Sequence, residues 1–120
     1  MESLSKEKLA FLQKKAKEIR IEIIKEITKA NSGHPGGSLS ITDLLTLLFF
    51  HEMHIDPKNP KMSDRDRLVL SKGHGAPALY AVLRIIFGES VAPSANPCIS
   101  NISFIIFHDC YTMYIMFFCK

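Results

Sequence analysis

Arg67-Leu68-Val69-Leu70-Ser71-Lys72-Gly73-His74-Gly75-Ala76-Pro77-Ala78-Leu79-Tyr80-Ala81-Val82-Leu83 is the stretch that decides the fold class. Leu68-Val69-Leu70 is a short apolar run of the kind a buried strand needs. Ser71 to Gly75 interrupts it with two glycines, which marks a loop. Leu79, Val82, Leu83 and Ile86 then recur at helical spacing, behind a proline suited to the first turn of a helix. Strand, glycine-flanked loop and helix in that order form one unit of a layered α/β domain.

Upstream, Leu9, Leu12, Ala16, Ile19, Ile23, Ile27 and Ala30 recur three or four residues apart and share one helix face. Lys14, Lys15, Lys17, Glu18, Glu22, Lys25 and Glu26 fill the other side. The helix is expected to stop at Asn31-Ser32-Gly33, where glycine accepts the left-handed conformation. Gly33-His34-Pro35-Gly36-Gly37 reads as a loop. Ser40-Ile41-Thr42-Asp43 has the Ser-x-x-acid pattern of a helix start. Ile41, Leu44, Leu45, Leu47, Leu48 and Phe49 then make that helix apolar nearly all round, so it is expected to be deeply buried. Asp56-Pro57-Lys58-Asn59-Pro60 is a turn-rich connection. The order helix, loop, helix, strand, loop, helix fits the front of an α/β domain whose remaining strands lie further on.

With 120 residues, the chain is one small domain or part of a larger one. A hydrophobic fraction of 47% with 22% charged residues excludes disorder, collagen and a disulfide scaffold as whole-chain descriptions. A net charge of +3 is too small to argue for nucleic acid. Three cysteines, an odd number, favour a reducing compartment. The first residues lack an apolar signal-peptide core, so a cytoplasmic location is expected. The composition breaks near residue 88. Beyond it the only charged side chains are Glu89, Asp109 and Lys120, and all three cysteines, Cys98, Cys110 and Cys119, fall there. The sequence therefore divides into residues 1–87 and an apolar tail, 88–120.

The chemistry-bearing pattern is the pair of loops Gly33-His34-Pro35-Gly36-Gly37 and Gly73-His74-Gly75. Glycines let a ligand approach the backbone, and helix N-termini attract phosphate. Histidine moves protons near neutral pH. Two histidines beside a phosphorylated ligand is one reading; tight turns with filling histidines is the other. His51-Glu52-Met53-His54 has its histidines three apart, not the four a zinc-protease helix requires, and reads as a helix end with solvated or capping histidines. Asp64-Arg65-Asp66-Arg67 could hold a phosphate or pair internally, and its alternating signs favour internal pairing and a solvated face. The cysteines match no common zinc spacing. Ile99 to Cys119 is apolar, but His108-Asp109 at its centre makes membrane insertion costly. Residues 102–107, uncharged and free of proline, are prone to aggregation.

Asn31-Ser32-Gly33-His34-Pro35-Gly36-Gly37-Ser38-Leu39-Ser40 resembles the first signature loop of the transketolase family. Asp56 to Lys61, and then Asp64 to His74, resembles the second, and Ala76 to Leu83 continues the likeness. The resemblance covers residues from about 7 to about 84 and is to the N-terminal section, particularly the split form in which two subunits replace one chain. It implies the front part of a thiamine diphosphate-binding, parallel-sheet α/β domain, mostly helical in the part present. It implies two-carbon ketol transfer between sugar phosphates, in the pentose phosphate pathway, with thiamine diphosphate and Mg²⁺ as cofactors. His34 matches the family histidine that contacts substrate and assists proton transfer. His74 matches the histidine at the cofactor diphosphate.

The family holds its metal with a Gly-Asp-Gly segment and a downstream Asn, and neither occurs in this sequence, so no metal ligand is assigned. The likeness ends between Leu83 and Gly88, as a frameshift or truncation would produce. The chain alone is accordingly expected to be inactive and to need a C-terminal transketolase subunit or a homologous chain. A non-catalytic interaction module and a 1-deoxyxylulose-5-phosphate synthase-like activity are the alternatives. No nucleic-acid or membrane partner is expected.

Overall fold

A computed structural model describes residues 4–31, 33–59 and 61–88, together with the backbone of 115–118. Helix α1, Lys6–Ala30, begins where the Ser5 hydroxyl accepts a hydrogen bond from the Lys8 N–H at 3.2 Å. It ends at Asn31, which takes the left-handed conformation at φ 49°. The terminating residue is therefore asparagine, whose short polar side chain tolerates that region, ahead of Gly33 at φ 118°.

Leu12, Ala16, Ile19 and Ile23 are buried as the spacing predicts, but Leu9 is 46% exposed and Ala30 is exposed too. The reason is length. The 25 residues of α1 run about 37 Å at 1.5 Å per residue, whereas the two helices packed against it have only 13 and 12 residues. The apolar stripe outruns its cover at both ends.

Helix α2, Pro35–Leu47, begins earlier than expected. Gly36 and Gly37 are its first turn and not a loop, and Ser40 lies inside it and not at its cap. Proline at the first helical position loses no hydrogen bond, because the N–H it lacks would have no helical partner there. The helix is not buried all round either. Ile41 and Leu45 face the core, but Leu44 is 38% exposed, while Ser38, Thr42 and Thr46 are buried. The Thr42 and Thr46 hydroxyls donate to the carbonyls of Ser38 and Thr42, at 3.0 and 2.7 Å, so neither is orphaned. These short side chains turn one face of α2 into a close-packing surface. A wider π-helical turn, Leu48–Glu52, follows and keeps Leu48 and Phe49 in the core. On the outer surface Phe11 meets Phe50 edge to face, with ring centroids 6.2 Å apart.

The next connection folds back on itself. Asp66 accepts the His54 N–H through its carboxylate at 2.7 Å, and its own N–H donates to the His54 carbonyl at 3.0 Å. The alternating-charge segment is only partly the solvated face expected of it. Arg65 is 7% exposed, with Nη1 3.5 Å from the Asp66 carbonyl, and burial, with a contribution from Arg67, lowers its pKa. His51 and His54 end or follow the helix as the sequence suggests. His51 Nε2 lies 3.5 Å from Glu52, and His54 Nδ1 lies 4.0 Å from Asp64.

Strand β1, Arg67–Leu70, buries Leu68 and Leu70, and its outward positions are half-buried. It pairs with β2, Ile115–Phe118, with Arg67 opposite Phe118 and Leu70 opposite Ile115. The ladder is antiparallel, and further strands of the expected parallel sheet are not among the described residues. An unpaired edge leaves a row of N–H and C=O groups needing partners, and the apolar Ile115-Met116-Phe117-Phe118 run satisfies one edge of β1. The three cysteines, His108-Asp109 and residues 102–107 lie outside the described residues. Among the described residues, no helix is long and apolar enough to cross a membrane.

After a 3₁₀ turn, Gly73–Gly75, helix α3 runs Ala76–Phe87 and buries Ala78, Leu79, Ala81, Val82 and Leu83. All three helices and β1 contribute to one core centred on Ile19, Ile23, Leu45, Leu68, Leu79 and Leu83.

At the α1–α3 seam, Glu22 lies 2.7 Å from Lys25 and 3.8 Å from Arg84. Next to them, burial pushes the Glu26 carboxyl up to about 7, against a lowering by Arg84 and with a further rise from Glu22. Because its folded pKa lies above its unfolded value, the folded state holds a proton that the unfolded state releases between pH 4.5 and about 7. Glu26 therefore reduces stability as pH rises through that window. Glu26→Gln is expected to raise stability at pH 8 by about 1–2 kcal/mol, after discounting for partial exposure, and to change little at pH 4. Thermal unfolding of both proteins across that range checks it; an equal gain at both pH values would contradict the titration.

Candidate functional site

The first turn of α2 packs directly against the turn that precedes α3. Ser38 Oγ donates to the His74 carbonyl at 3.2 Å. Gly37 lies so close that a Cβ added there would sit 3.2 Å from both Cβ and O of His74. In the reverse direction, a Cβ on Gly75 would sit 2.6 Å from Ile41 Cδ1. Gly75 has φ −91°, so close approach and not backbone conformation explains the glycine. Lys72 reaches across from the end of β1, with Nζ 2.8 Å from Ser40 Oγ. The Ser40 hydroxyl in turn donates to the Gly37 carbonyl at 2.9 Å.

This junction brings the two histidine loops together. His34 occupies the cap position of α2, in an extended conformation, and makes no side-chain capping bond. His74 is the middle residue of the 3₁₀ turn that leads into α3. Both imidazoles are exposed, and an added Cβ at Gly36 would meet nothing within 4 Å. Helix starts carry N–H groups without helical partners and the positive end of the helix dipole. The surface thus offers two imidazoles, one ammonium and the N-termini of two helices of 13 and 12 residues. That donor set suits an anion such as a diphosphate.

The same donor set does not suit a divalent cation. Among the described residues no group of three His, Cys, Asp or Glu side chains could hold a metal ion. Clefts of about 370 and 330 Å³ lie elsewhere along α1, and neither is lined by His34 or His74.

His51 and His54 stand outside this junction. The residues that reading for histidines passes over are Gly37, Ser40 and Lys72. The signal for Lys72 was its place in Ser71-Lys72-Gly73-His74. Nothing in the sequence marks Ser40 as its partner, because the bond joins positions 32 apart.

The family model described as transketolase, thiamine diphosphate binding domain, matches residues 12–91. The 6-deoxy-6-sulfo-D-fructose transketolase subunit SqwG of Clostridium sp. (strain MSTE9) is 57% identical over 74 residues, which are 62% of this chain and 27% of that protein. Human transketolase is 45% identical over 85 residues, 68% of this chain and 14% of its own length. Rhodobacter capsulatus transketolase is 46% identical over 72 residues, 60% of this chain and 11% of its own. The chain thus spans between about a tenth and about a quarter of the length of these relatives.

Proposed function

The chain belongs to the transketolase family, through its thiamine diphosphate-binding domain, and from that premise we propose that it forms the cofactor-diphosphate side of a ketol-transfer site. The observation that carries the reading is the junction itself: the two family-matched loops touch through Ser38, Gly37 and His74. His74 and the start of α3 hold the diphosphate. His34, exposed and without a capping bond, contacts the sugar and moves a proton at its imidazole. When bound, thiamine diphosphate supplies the carbanion and electron sink that break and remake a carbon–carbon bond. This chain's residues bind, orient and transfer protons. The described residues do not fit Mg²⁺, and no step is assigned to it.

A partner completes the site: a C-terminal transketolase subunit or a homologous chain. One relative being a subunit, and the others being much longer chains, supports this. The substrates are sugar phosphates. The name of the Clostridium relative adds a ketose with a C6 sulfonate in place of a phosphate, so both classes belong in the test. Exposed Leu9, Phe11, Ile21 and Ile24 on α1 favour a second reading, a non-catalytic module that docks onto an intact homologue.

Calorimetric titration with thiamine diphosphate separates the two. The purified chain is expected to bind the cofactor, to turn over no ketose alone, and to gain ketol transfer when the partner subunit is added. Absence of cofactor binding, alone and with the partner, would leave the module reading. Turnover by the chain alone would overturn the need for a partner.

A further inference from the structure

We propose that the groove between α1 and α2 is a docking surface for an acidic amphipathic helix of a partner chain. This surface lies apart from both histidine loops, so it does not depend on cofactor binding. Three observations carry it. The first is shape. The groove is a cleft of about 330 Å³ with buried Leu12, Ala16 and Thr46 at its floor and exposed Leu9 and half-buried Leu47 at its rim. Ala16 and Thr46 are small, so an apolar side chain can come close to both helix backbones. A groove between two packed helices can seat a third, which lays its apolar stripe along it. Leu9, 46% exposed, is the wall that such a stripe covers.

The second is charge. Lys6 and Lys17 lie seven residues before and four residues after Gln13, which lines the groove, so all three share one side of α1. Both lysines are exposed, and among the described residues neither has an ion-pair partner. Asp43, the acidic residue of the lining, is already held by Arg20 at 2.7 Å. The flank is left with two unmatched positive charges about 16 Å apart along the axis, or about three helical turns. A partner helix with carboxylates three turns apart beside its apolar stripe meets both.

The third is the contrast with the rest of α1. The cleft of about 370 Å³ between α1 and α3 is lined by Glu18, Glu22, Lys25 and Arg84. Their charges are matched with one another and with Lys15. That cleft is satisfied within the chain, and the α1–α2 groove is not. A second copy of this chain is a poor occupant. The exposed side of its α1 would bring Lys14 and Lys17 against Lys6 and Lys17, and like charges across an interface repel.

The test is fluorescence anisotropy of a labelled amphipathic peptide, with leucine at helical spacing and glutamate on the remaining face, titrated with the full chain. The same peptide with lysine in place of glutamate is the control. The glutamate peptide is expected to bind at least tenfold more tightly than the lysine peptide, and to weaken as salt rises. L9S should weaken it about tenfold, by removing apolar area from the contact. K17E should weaken it about fivefold, the scale of an exposed ion pair. K29E makes the same charge change about 18 Å further along α1 and should stay within about twofold. Far-ultraviolet circular dichroism checks that each variant folds; all three positions are exposed. Failure of the glutamate peptide to bind, equal binding of the two peptides, or unchanged binding by either L9S or K17E would overturn the proposal. So would a dimer of the chain alone that L9S abolishes, which would make a second copy the occupant. Tighter binding to phosphatidylserine vesicles than to the peptide, lost in K17E, would make this a membrane surface and overturn it too.

Discussion

Leu45→Ala is expected to lower the unfolding free energy by about 3 kcal/mol, whereas Leu44→Ala, one position earlier, should leave it within about 0.5 kcal/mol. The two leucines have equal hydropathy and equal helix propensity, so sequence alone treats them alike. The fold separates them. Leu45 is fully buried, in the cluster shared with Ile19, Ile23, Leu68 and Leu79. Leu44 is 38% exposed. Truncating Leu45 removes transfer free energy and leaves a cavity that three helices and a strand cannot all close upon. Leu44 lies outside that buried cluster, so truncating it opens no cavity in the core. Since small domains are stable by only about 5–15 kcal/mol, the first change takes a large share and the second does not. Urea unfolding of the two variants beside wild type measures both. Equal losses would show that α2 is oriented differently in the core.

This contrast marks where the sequence was legible. The middle of α1 could be read because Leu12, Ala16, Ile19 and Ile23 repeat at the helical period over several turns. Strand β1 and helix α3 could be read because Leu68-Val69-Leu70 and the Leu79-Val82-Leu83 pattern are bounded by glycines and a proline. The start of α2 could not. Gly36 and Gly37 are poor helix formers, and local propensity argues for a loop. Proline at the first position and the close approach to His74 decide otherwise, and the second of these is a tertiary contact. Ser38, Thr42 and Thr46 escaped for the same reason. The leucines suggested a helix buried all round, and nothing local shows that the face buried beside Ile41 and Leu45 is the one whose hydroxyls turn back onto helix carbonyls. Arg65 misled in the opposite sense, since alternating charge implies a wet surface and carries no information about the 7% exposure it reaches. The antiparallel β1–β2 pairing joins residues nearly fifty positions apart, and no local pattern specifies direction over that distance. At the site, the two histidine loops were visible as glycine-rich breaks. Their contact through Ser38 and Gly37, and the bridge from Lys72 to Ser40, depend on how α2 seats against the turn before α3.

That seating can be tested at a single pair of atoms. Gly75→Ala is expected to destabilise the protein by about 2 kcal/mol, and Ile41→Val is expected to reverse most of that loss. A methyl on Gly75 would lie 2.6 Å from Ile41 Cδ1, well inside contact distance. The Ile41 side chain is buried in the shared core, so it cannot swing away without displacing its neighbours. Valine lacks only the Cδ1 methyl, the atom that clashes. In the wild-type background, Ile41→Val opens a small gap and should cost about 1 kcal/mol. In the Gly75→Ala background the same change removes the collision and should stabilise. The sign of the Ile41→Val effect therefore depends on residue 75, and the double-mutant cycle should give a coupling of at least about 1 kcal/mol. Additivity would mean that α2 and the turn at residues 73–75 do not meet as described. The cycle also reports on function. Gly75 follows His74 and opens α3, so pushing the turn away from Ile41 moves the imidazole and the helix start together. Gly75→Ala should thus weaken thiamine diphosphate binding, and Ile41→Val should restore it in step with stability. Restored stability without restored binding would show that the cofactor makes no use of this junction.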